Sequence, residues 1–410
     1  MTPPTGWRST TLGGLGEYLN GRGFRKAEWR DFGRPIIRIQ NLTGSGESFN
    51  YFQGEVENRY VARPGELLVS WAATLGAYFW EGPEAVINQH IFKVESNIDR
   101  RFHKYLLDYK LADLTRHAHG SGMVHITRGR FDSVPVIVPV ELGEQRRIVE
   151  ILEDHLSRLD AADSYLADAS LRGHVLVKAV LTTLIPDVSE YPAGWDVETV
   201  IDAGSVELGR QRHPDWHRGP NMRPYLRVAN VFEDRIDSSD VMEMHWPDES
   251  FERFRLREGD ILLNEGQSPE LLGRPAMYRG DPPAAAFTNS LVRFKAGPKV
   301  LPEFALLVFR RHMHAGRFAR ESRITTNIAH LSAARLKVIE FPVPAMAEQA
   351  ELVRVARARL DSLTVLDNGV ARQKKRSRAL RRAVLAAAFE GKLTGRHADD
   401  EVIEEMAAAR

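Results

Sequence analysis

Cysteine is absent from all 410 residues, which excludes disulfides, thiolate nucleophiles and every cysteine-ligated metal centre. Long apolar runs are missing too. No stretch approaches the ~20 residues that cross a bilayer, and the opening MTPPTGWRST lacks the basic and apolar regions of a signal peptide. We therefore expect a cytoplasmic protein with no membrane partner. Excess charge of either sign is also lacking: the formal net charge is +1, so only the distribution of charge can speak for a partner. What is present, 43% hydrophobic and 27% charged residues, is the composition of a globular chain. Its length exceeds what one hydrophobic core usually supports, and two or more domains are expected.

The chain repeats itself. GEQRRIVEILEDHLSRLD (Gly143 to Asp160) returns as AEQAELVRVARARLDSL (Ala347 to Leu363), with the Glu-Gln pair 204 residues further on. In that register Ile148, Leu152, Leu156, Leu159, Ala162 and Leu166 match Leu352, Ala356, Leu360, Leu363, Leu366 and Val370. Steps of three and four keep one stripe on one face of an α-helix. The segments ahead of each helix repeat as well, in one order. TGWRSTTLG (Thr5 to Gly13) matches AGWDVETVI (Ala193 to Ile201), and GRPIIRIQNL (Gly33 to Leu42) matches MRPYLRVANV (Met222 to Val231). RPGELLVS (Arg63 to Ser70) matches REGDILLN (Arg257 to Asn264), and NQHIFKV (Asn88 to Val94) matches TNSLVRF (Thr288 to Phe294). Last, HITRGRFDSVPVIVP (His125 to Pro139) matches HLSAARLKVIEFPVP (His330 to Pro344).

Two homologous halves with loops of different length follow from this order. Short β-branched runs bounded by Gly, Pro and Asn predict strands, so the class is α+β: two strand-rich domains alternating with two long helices. RFHKYLLDYKLADL and LPEFALLVFRRHMHAG predict a helix inside each domain. The expected boundaries are a first domain over 1–140, a central helix over 141–187, a second domain over 188–344, a C-terminal helix over 345–395 and a tail over 396–410. Two stripes of matching pattern in one chain predict an antiparallel coiled-coil pair with pseudo-twofold symmetry. Roughly 45 residues at 1.5 Å rise gives about 65 Å, more than a small domain needs to close its core, which suggests a spacer. ARQKKRSRALRR (Ala371 to Arg382) carries seven basic residues and no acid. It is either a solvated face or a contact for phosphates or an acidic partner.

The alternation of domains and helices, GELLVS and GDILLN inside the domains, and the closing LRRAVLAAAFEGKLTG (Leu380 to Gly395) together resemble the specificity subunit, HsdS, of type I restriction–modification systems. The likeness covers nearly the whole chain. It implies a non-catalytic subunit in which each domain is a target-recognition domain reading one half of a split, asymmetric double-stranded DNA site. It implies helices that set the gap and dock two adenine-N6 methyltransferase subunits, with restriction subunits joining the assembly. No cofactor is expected in this chain; S-adenosylmethionine, ATP and Mg2+ belong to the partner subunits. Two related readers on a spacer suit a bipartite site, because module spacing sets half-site spacing. The competing readings are a tandem DNA-binding regulator or scaffold outside restriction, and a reader fused to its own enzyme.

Base readout draws on Arg, Lys, Asn and Gln in exposed polar loops. In the first domain the candidates are Arg22, Arg25, Lys26, Ser70, Thr74, Gln89, His90, Ser121 and His125. In the second they are Arg210, Arg212, Asn264, Gln267, Asn289, Arg320, Arg323, Thr325, Thr326 and Asn327, the segment around Arg323 being the densest in polar groups. Arg22 and Arg210 match and could instead form a shared structural ion pair; Asn41 and Asn230 suit turn capping; Gln89 and Asn289 could satisfy backbone groups. Trp71 is expected to pack rather than stack on a base. Partner contacts on the helices are expected from Ile148, Leu152, Leu159, Leu363, Arg378 and Arg381. DPPA (Asp281 to Ala284) lacks the aromatic of a methyltransferase motif and predicts a turn. EGK (Glu390 to Lys392) and DYK (Asp108 to Lys110) fit the short end of a nuclease motif at a rate expected by chance, and GSGES lacks the ending of a P-loop. HAH (His117 to His119) and HMH (His312 to His314) lack a third ligand, so no metal is expected.

Overall fold

The computed structural model describes residues 3–46, 48–117, 127–325, 328–393 and 398–409. They form two compact units: residues 1–167 with 371–410, and residues 168–370. The boundary falls inside both long helices, Leu142–Leu184 and Met346–Phe389. The class is mixed helix and strand, as the repeat predicts.

In the first unit, strand Trp7–Thr11 pairs antiparallel with Pro135–Pro139, which ends just before the first long helix. A four-stranded sheet follows in the order Gly16–Asn20, Ile91–Ser96, Leu67–Ser70, Gly76–Phe79. A second sheet has the order Asn50–Phe52, Arg34–Ile37, Ala85–Ile87, Val61–Ala62, its middle pair being parallel. The strand Leu67–Ser70 is buried at every position. It sits between two neighbours, with Leu67 and Val69 in one apolar cluster and Leu68 in another, so it reads as an unbroken apolar run rather than an alternation.

The second unit uses the same plan. Asp196–Thr199 pairs with Glu340–Val343, and a sheet runs Gly204–Leu208, Leu291–Ala296, Ile261–Asn264, Pro275–Met277. A third sheet, Met242–His245, Met222–Leu226, Ala286–Phe287, again carries one parallel pair. Two additions have no counterpart among the described residues of the first unit: a hairpin, Val231–Phe232 with Arg235–Ile236, and a small sheet of Gly266–Gln267, Ile328–His330 and Arg323–Thr325.

The repeated Glu-Gln pair now has a physical role. Gln145 is buried, accepts from the Asp99 backbone N–H at 2.8 Å and donates to the Pro139 carbonyl at 2.9 Å. Gln349 is buried in the same way, accepting from the Leu301 N–H at 2.9 Å and donating to the Lys299 and Pro344 carbonyls, both at 2.8 Å. Asp99 and Leu301 immediately precede the domain helices Arg100–His117 and Pro302–His314. Each glutamine thus fastens the start of a long helix to the domain before it, and in the second unit the Trp195 indole N–H adds a bond to Glu348 at 2.8 Å.

The ends of the long helices are equally embedded. In the first unit Ile148, Val149, Leu152 and Leu156 share a core cluster with Ala383, Val384, Ala387 and Phe389, and Phe389 lies against Phe102 and Tyr109. In the second, Leu181 and Ile185 share a cluster with Ala356 and Leu360, and Arg311 donates to the Ile185 carbonyl at 3.1 Å. Ile148 and Leu152, expected on a partner-facing surface, are therefore core residues, because the stripe that carries them closes the first domain. Leu159 and Leu363 are partly buried against the same clusters. Arg378 is exposed, and Arg381 pairs with Asp160 at 2.6 Å and Asp163 at 3.4 Å.

Candidate nucleic-acid interface

The repeat brings matching loops together in both domains. In the first, Arg22 forms an isolated parallel bridge to Asn88, its N–H donating to Ile87, and Trp71 N–H donates to the His90 carbonyl. The segments around 20–26, 70–76 and 88–90 thus meet at one place. In the second, Arg210 bridges Thr288 in the same parallel sense, Asn289 N–H donates to the Arg210 carbonyl, and Glu265 N–H donates to Ser290. That gathers 209–213, 264–268 and 288–290. Gly21 and Gly209 make the crossing possible: a Cβ would lie 2.2 Å from the Asn88 carbonyl oxygen in one case and 2.3 Å from that of Thr288 in the other.

Several predicted contacts point outward. Arg25, Lys26, Thr74 and Gln89 are exposed in the first domain, with Gln89 bonded to a half-buried His90 at 3.2 Å. Arg212, Asn289 and Arg320 are exposed in the second. Gln267 is half-buried and accepts from Ser268 N–H.

Two do not. Ser70 is fully buried, its hydroxyl donating to the Thr74 carbonyl at 2.5 Å, so it holds the turn and cannot meet a base. Asn264 is fully buried as well, 3.5 Å from the Val231 carbonyl. Both close a central strand, where polar character signals local bonding rather than exposure. Arg323 and Thr325 belong to a strand, not to a loop, because Arg323–Thr325 turns back along Ile328–His330; only their backbone is described. Ser121, His125, Thr326 and Asn327 lie outside the described residues.

Arg22 and Arg210 differ in what they meet. Arg22 lies 4.9 and 4.8 Å from the rings of Phe24 and Phe52 and pairs with Glu28 at 2.5 Å. The Arg25 backbone N–H and the Arg22 guanidinium together hold the Glu28 carboxyl below its usual range. Arg210 has rings but, among the described residues, no carboxylate: it lies 3.8 Å from the Trp216 ring and 4.8 Å from Trp246, and donates to the His245 carbonyl at 3.0 Å. Neither indole is among the expected contacts: Trp216 lies in the 3-10 turn Pro214–His217, and Trp246 follows the strand Met242–His245. The only signal for them is a tryptophan close behind GRQRHPD.

The other paired residues are structural. Asn41 accepts from Arg38 N–H and donates to the Gly46 and Ser48 carbonyls. Asn230 does the same toward Arg227, Asp237 and Asp240. Trp71 stacks on Phe92 at 5.6 Å. A buried cation also repeats: Lys93 pairs with Glu66 at 2.8 Å, and Arg293 pairs with Asp260 at 3.5 Å and with Glu207. The acids are those of GELLVS and GDILLN, each one residue after a glycine with φ near +81° or +90°. Asp281–Ala284 is a turn region, and His312 is buried against the Glu340 carbonyl. Among the described residues no group of three or more His, Asp or Glu could hold a metal ion, and no helix is long and apolar enough to cross a membrane.

Comparison with known proteins agrees with this geometry. Residues 4–163 match the model of the type I restriction modification DNA specificity domain. The chain is 22% identical to the EcoBI type I restriction enzyme specificity subunit of Escherichia coli, over 95% of this chain and 86% of that protein. It is 24% identical to the StySPI specificity subunit of Salmonella potsdam over 67% of this chain and 61% of that one. A solved chain reported under the assembly and conformational transition of the type I R-M system superposes with a TM-score of 0.69 at 15% identity, covering 96% of this chain and 100% of that one. At that identity it speaks for the fold. The resemblance drawn from the repeat and the closing signature is borne out.

Proposed function

We propose, from the chain's place among the specificity subunits of type I restriction–modification systems, that it is the DNA-recognition subunit of such a system. Each domain reads one half of a bipartite, asymmetric site in double-stranded DNA. The long helices pair antiparallel as the spacer between half-sites and dock two adenine-N6 methyltransferase subunits, which restriction subunits then join. The chain carries no catalysis of its own. S-adenosylmethionine serves the methyltransferases, and ATP with Mg2+ serves the restriction subunits.

One observation carries this reading: the same domain is built twice on one skeleton, while the exposed groups at the matching loop crossing differ. Gln89 and His90 stand where Asn289 and Ser290 stand, and where Arg22 is paired with Glu28, Arg210 lies against the rings of Trp216 and Trp246. A duplicated frame with two different polar edges suits two different half-sites, since phosphate contacts position a protein on DNA and base-edge contacts specify the sequence. The start of one long helix and the end of the other lie in one core within each unit, which supports an antiparallel pair.

The test is co-expression with the methyltransferase subunits of a type I system, followed by mapping of N6-methyladenine across the host genome. A methylated motif split by a constant gap is expected. Absence of methylation with every methyltransferase partner supplied overturns the reading.

A further inference from the structure

We propose that Arg210 is a phosphate clamp, gripping the DNA backbone at the half-site read by the second domain, and that the matching Arg22 is not. The proposal rests on the DNA-reading function above and names the contact made by one residue.

Both arginines occupy the same place in the repeated fold, after a glycine whose Cβ has no room and on a parallel bridge to the facing loop. Both guanidinium groups lie against two aromatic rings. The rings hold a planar cation by its faces and leave its edges, where the N–H donors are, free to point elsewhere. In the first domain that preparation ends in an internal contact, because Glu28 takes the charge of Arg22 at 2.5 Å.

In the second domain nothing takes it. Among the described residues Arg210 has no ion pair, and its guanidinium makes one hydrogen bond, to the His245 carbonyl at 3.0 Å. Its guanidinium is partly withdrawn from water by two indoles, at 3.8 and 4.8 Å, and burial lowers its pKa. A partly desolvated, fixed cation without a counter-ion is unfavourable alone and suited to an incoming anion. The surrounding loop agrees in sign. Arg212 and Arg218 are exposed and without an ion pair among the described residues, and they outnumber the loop's single acid, Asp215. Phosphate is favoured over a base edge because the exposed Arg212 and Arg218 stand in the same loop, and a cluster of cations suits successive phosphates of the backbone.

The experiment uses the full chain assembled with its methyltransferase subunits, and two duplexes of equal length. One carries the methylated sequence and the other has both half-sites scrambled. Binding is followed by fluorescence anisotropy over a series of NaCl concentrations, and the genome is mapped for methyladenine. For Arg210→Gln, which keeps a planar group on the indoles without the charge, affinity is expected to fall on the order of tenfold on both duplexes. The slope of log K against log salt should fall in magnitude by about 0.9, the value for one phosphate. Arg210→Lys should restore most of that slope, and the methylated sequence should stay the same. An unchanged slope in Arg210→Gln overturns the proposal, and so does a motif that becomes degenerate at one base pair while the slope holds. If the unsubstituted complex binds neither duplex, the DNA-reading function itself fails, a result distinct from wild-type binding that the substitution leaves untouched.

Discussion

Gln349 makes three hydrogen bonds from a side chain with no exposure, and it touches the end of a strand, the approach to the domain helix and the first turn of the long helix at once. Gln349→Leu keeps the volume and removes the bonds, leaving the buried Pro344 carbonyl unpaired at about 1–3 kcal/mol, with a smaller loss at the part-buried Leu301 and Lys299 groups. Thermal unfolding should show the second unit losing several degrees, and a midpoint unchanged from wild type would mean that the glutamine is replaceable. His103 supports a pH prediction in the first unit. It is buried between Tyr18 Oη at 2.7 Å and Ser96 Oγ at 2.8 Å, and burial pushes its pKa down to about 4. The unfolded chain, with a histidine near 6.5, takes up that proton earlier than the folded one. The stability contribution is therefore complete above pH 6.5 and is lost as pH falls toward 4, by up to about 1.4 kcal/mol per pH unit. Urea titrations from pH 7 to 4 should show the first unit weakening, and His103→Gln should flatten that dependence. Residue-level function was only partly legible in advance. Polarity beside a strand marked Gln89 and Asn289 as well as Ser70 and Asn264, because a side chain that leaves the protein and one that bonds back into its own turn use the same atoms.

Elements were far more legible than side chains. The long helices, the domain helices and the proline-bearing strands ahead of the long helices follow from periodicity, and duplication tests each against its copy. The sheet order does not follow, because burial on both faces erases alternation in Leu67–Ser70 and Ile261–Asn264. The hairpin Arg323–Thr325 with Ile328–His330 was hidden too: RESRITTN has the composition of a loop, and only pairing with Gly266–Gln267 makes it a sheet. The closing signature illustrates how an element explains a motif. Phe389 fills the first domain's core, and Gly391, at φ of +71°, ends the helix while Lys392 N–H reaches back to the Ala387 carbonyl. A Cβ there would lie 2.9 Å from Pro4 Cγ. Phe389→Ala should cost the first unit about 3–5 kcal/mol. Gly391→Val should also destabilise it, through strain at a positive φ. Calorimetry reads both, and loss in the second unit's transition instead would contradict the assignment of Phe389.

At the scale of the whole molecule, what the two units share and what distinguishes them are carried by different parts of the repeat. The strands, buried glutamines, buried cation pairs and the loop crossing itself are duplicated, whereas the groups carried at the crossing are not. Exchange of residues 1–140 for the corresponding domain of another family member should therefore change one half of the methylated motif and leave the other half intact. Methyladenine mapping checks it, and change in both halves would refute independent reading by the two domains.

The division of the chain into 1–167 with 371–410 on one side and an uninterrupted 168–370 on the other has a consequence in time. Synthesis runs from the N-terminus and domains fold as units. The second unit has all its residues once position 370 has left the ribosome, while the first, begun earlier, still lacks Ala383, Val384, Ala387 and Phe389 from its core. The part translated first is completed last. A chain broken off before residue 383 carries a finished second unit and a first unit with an open apolar core, so the first domain's fold waits on the last turns of the second long helix.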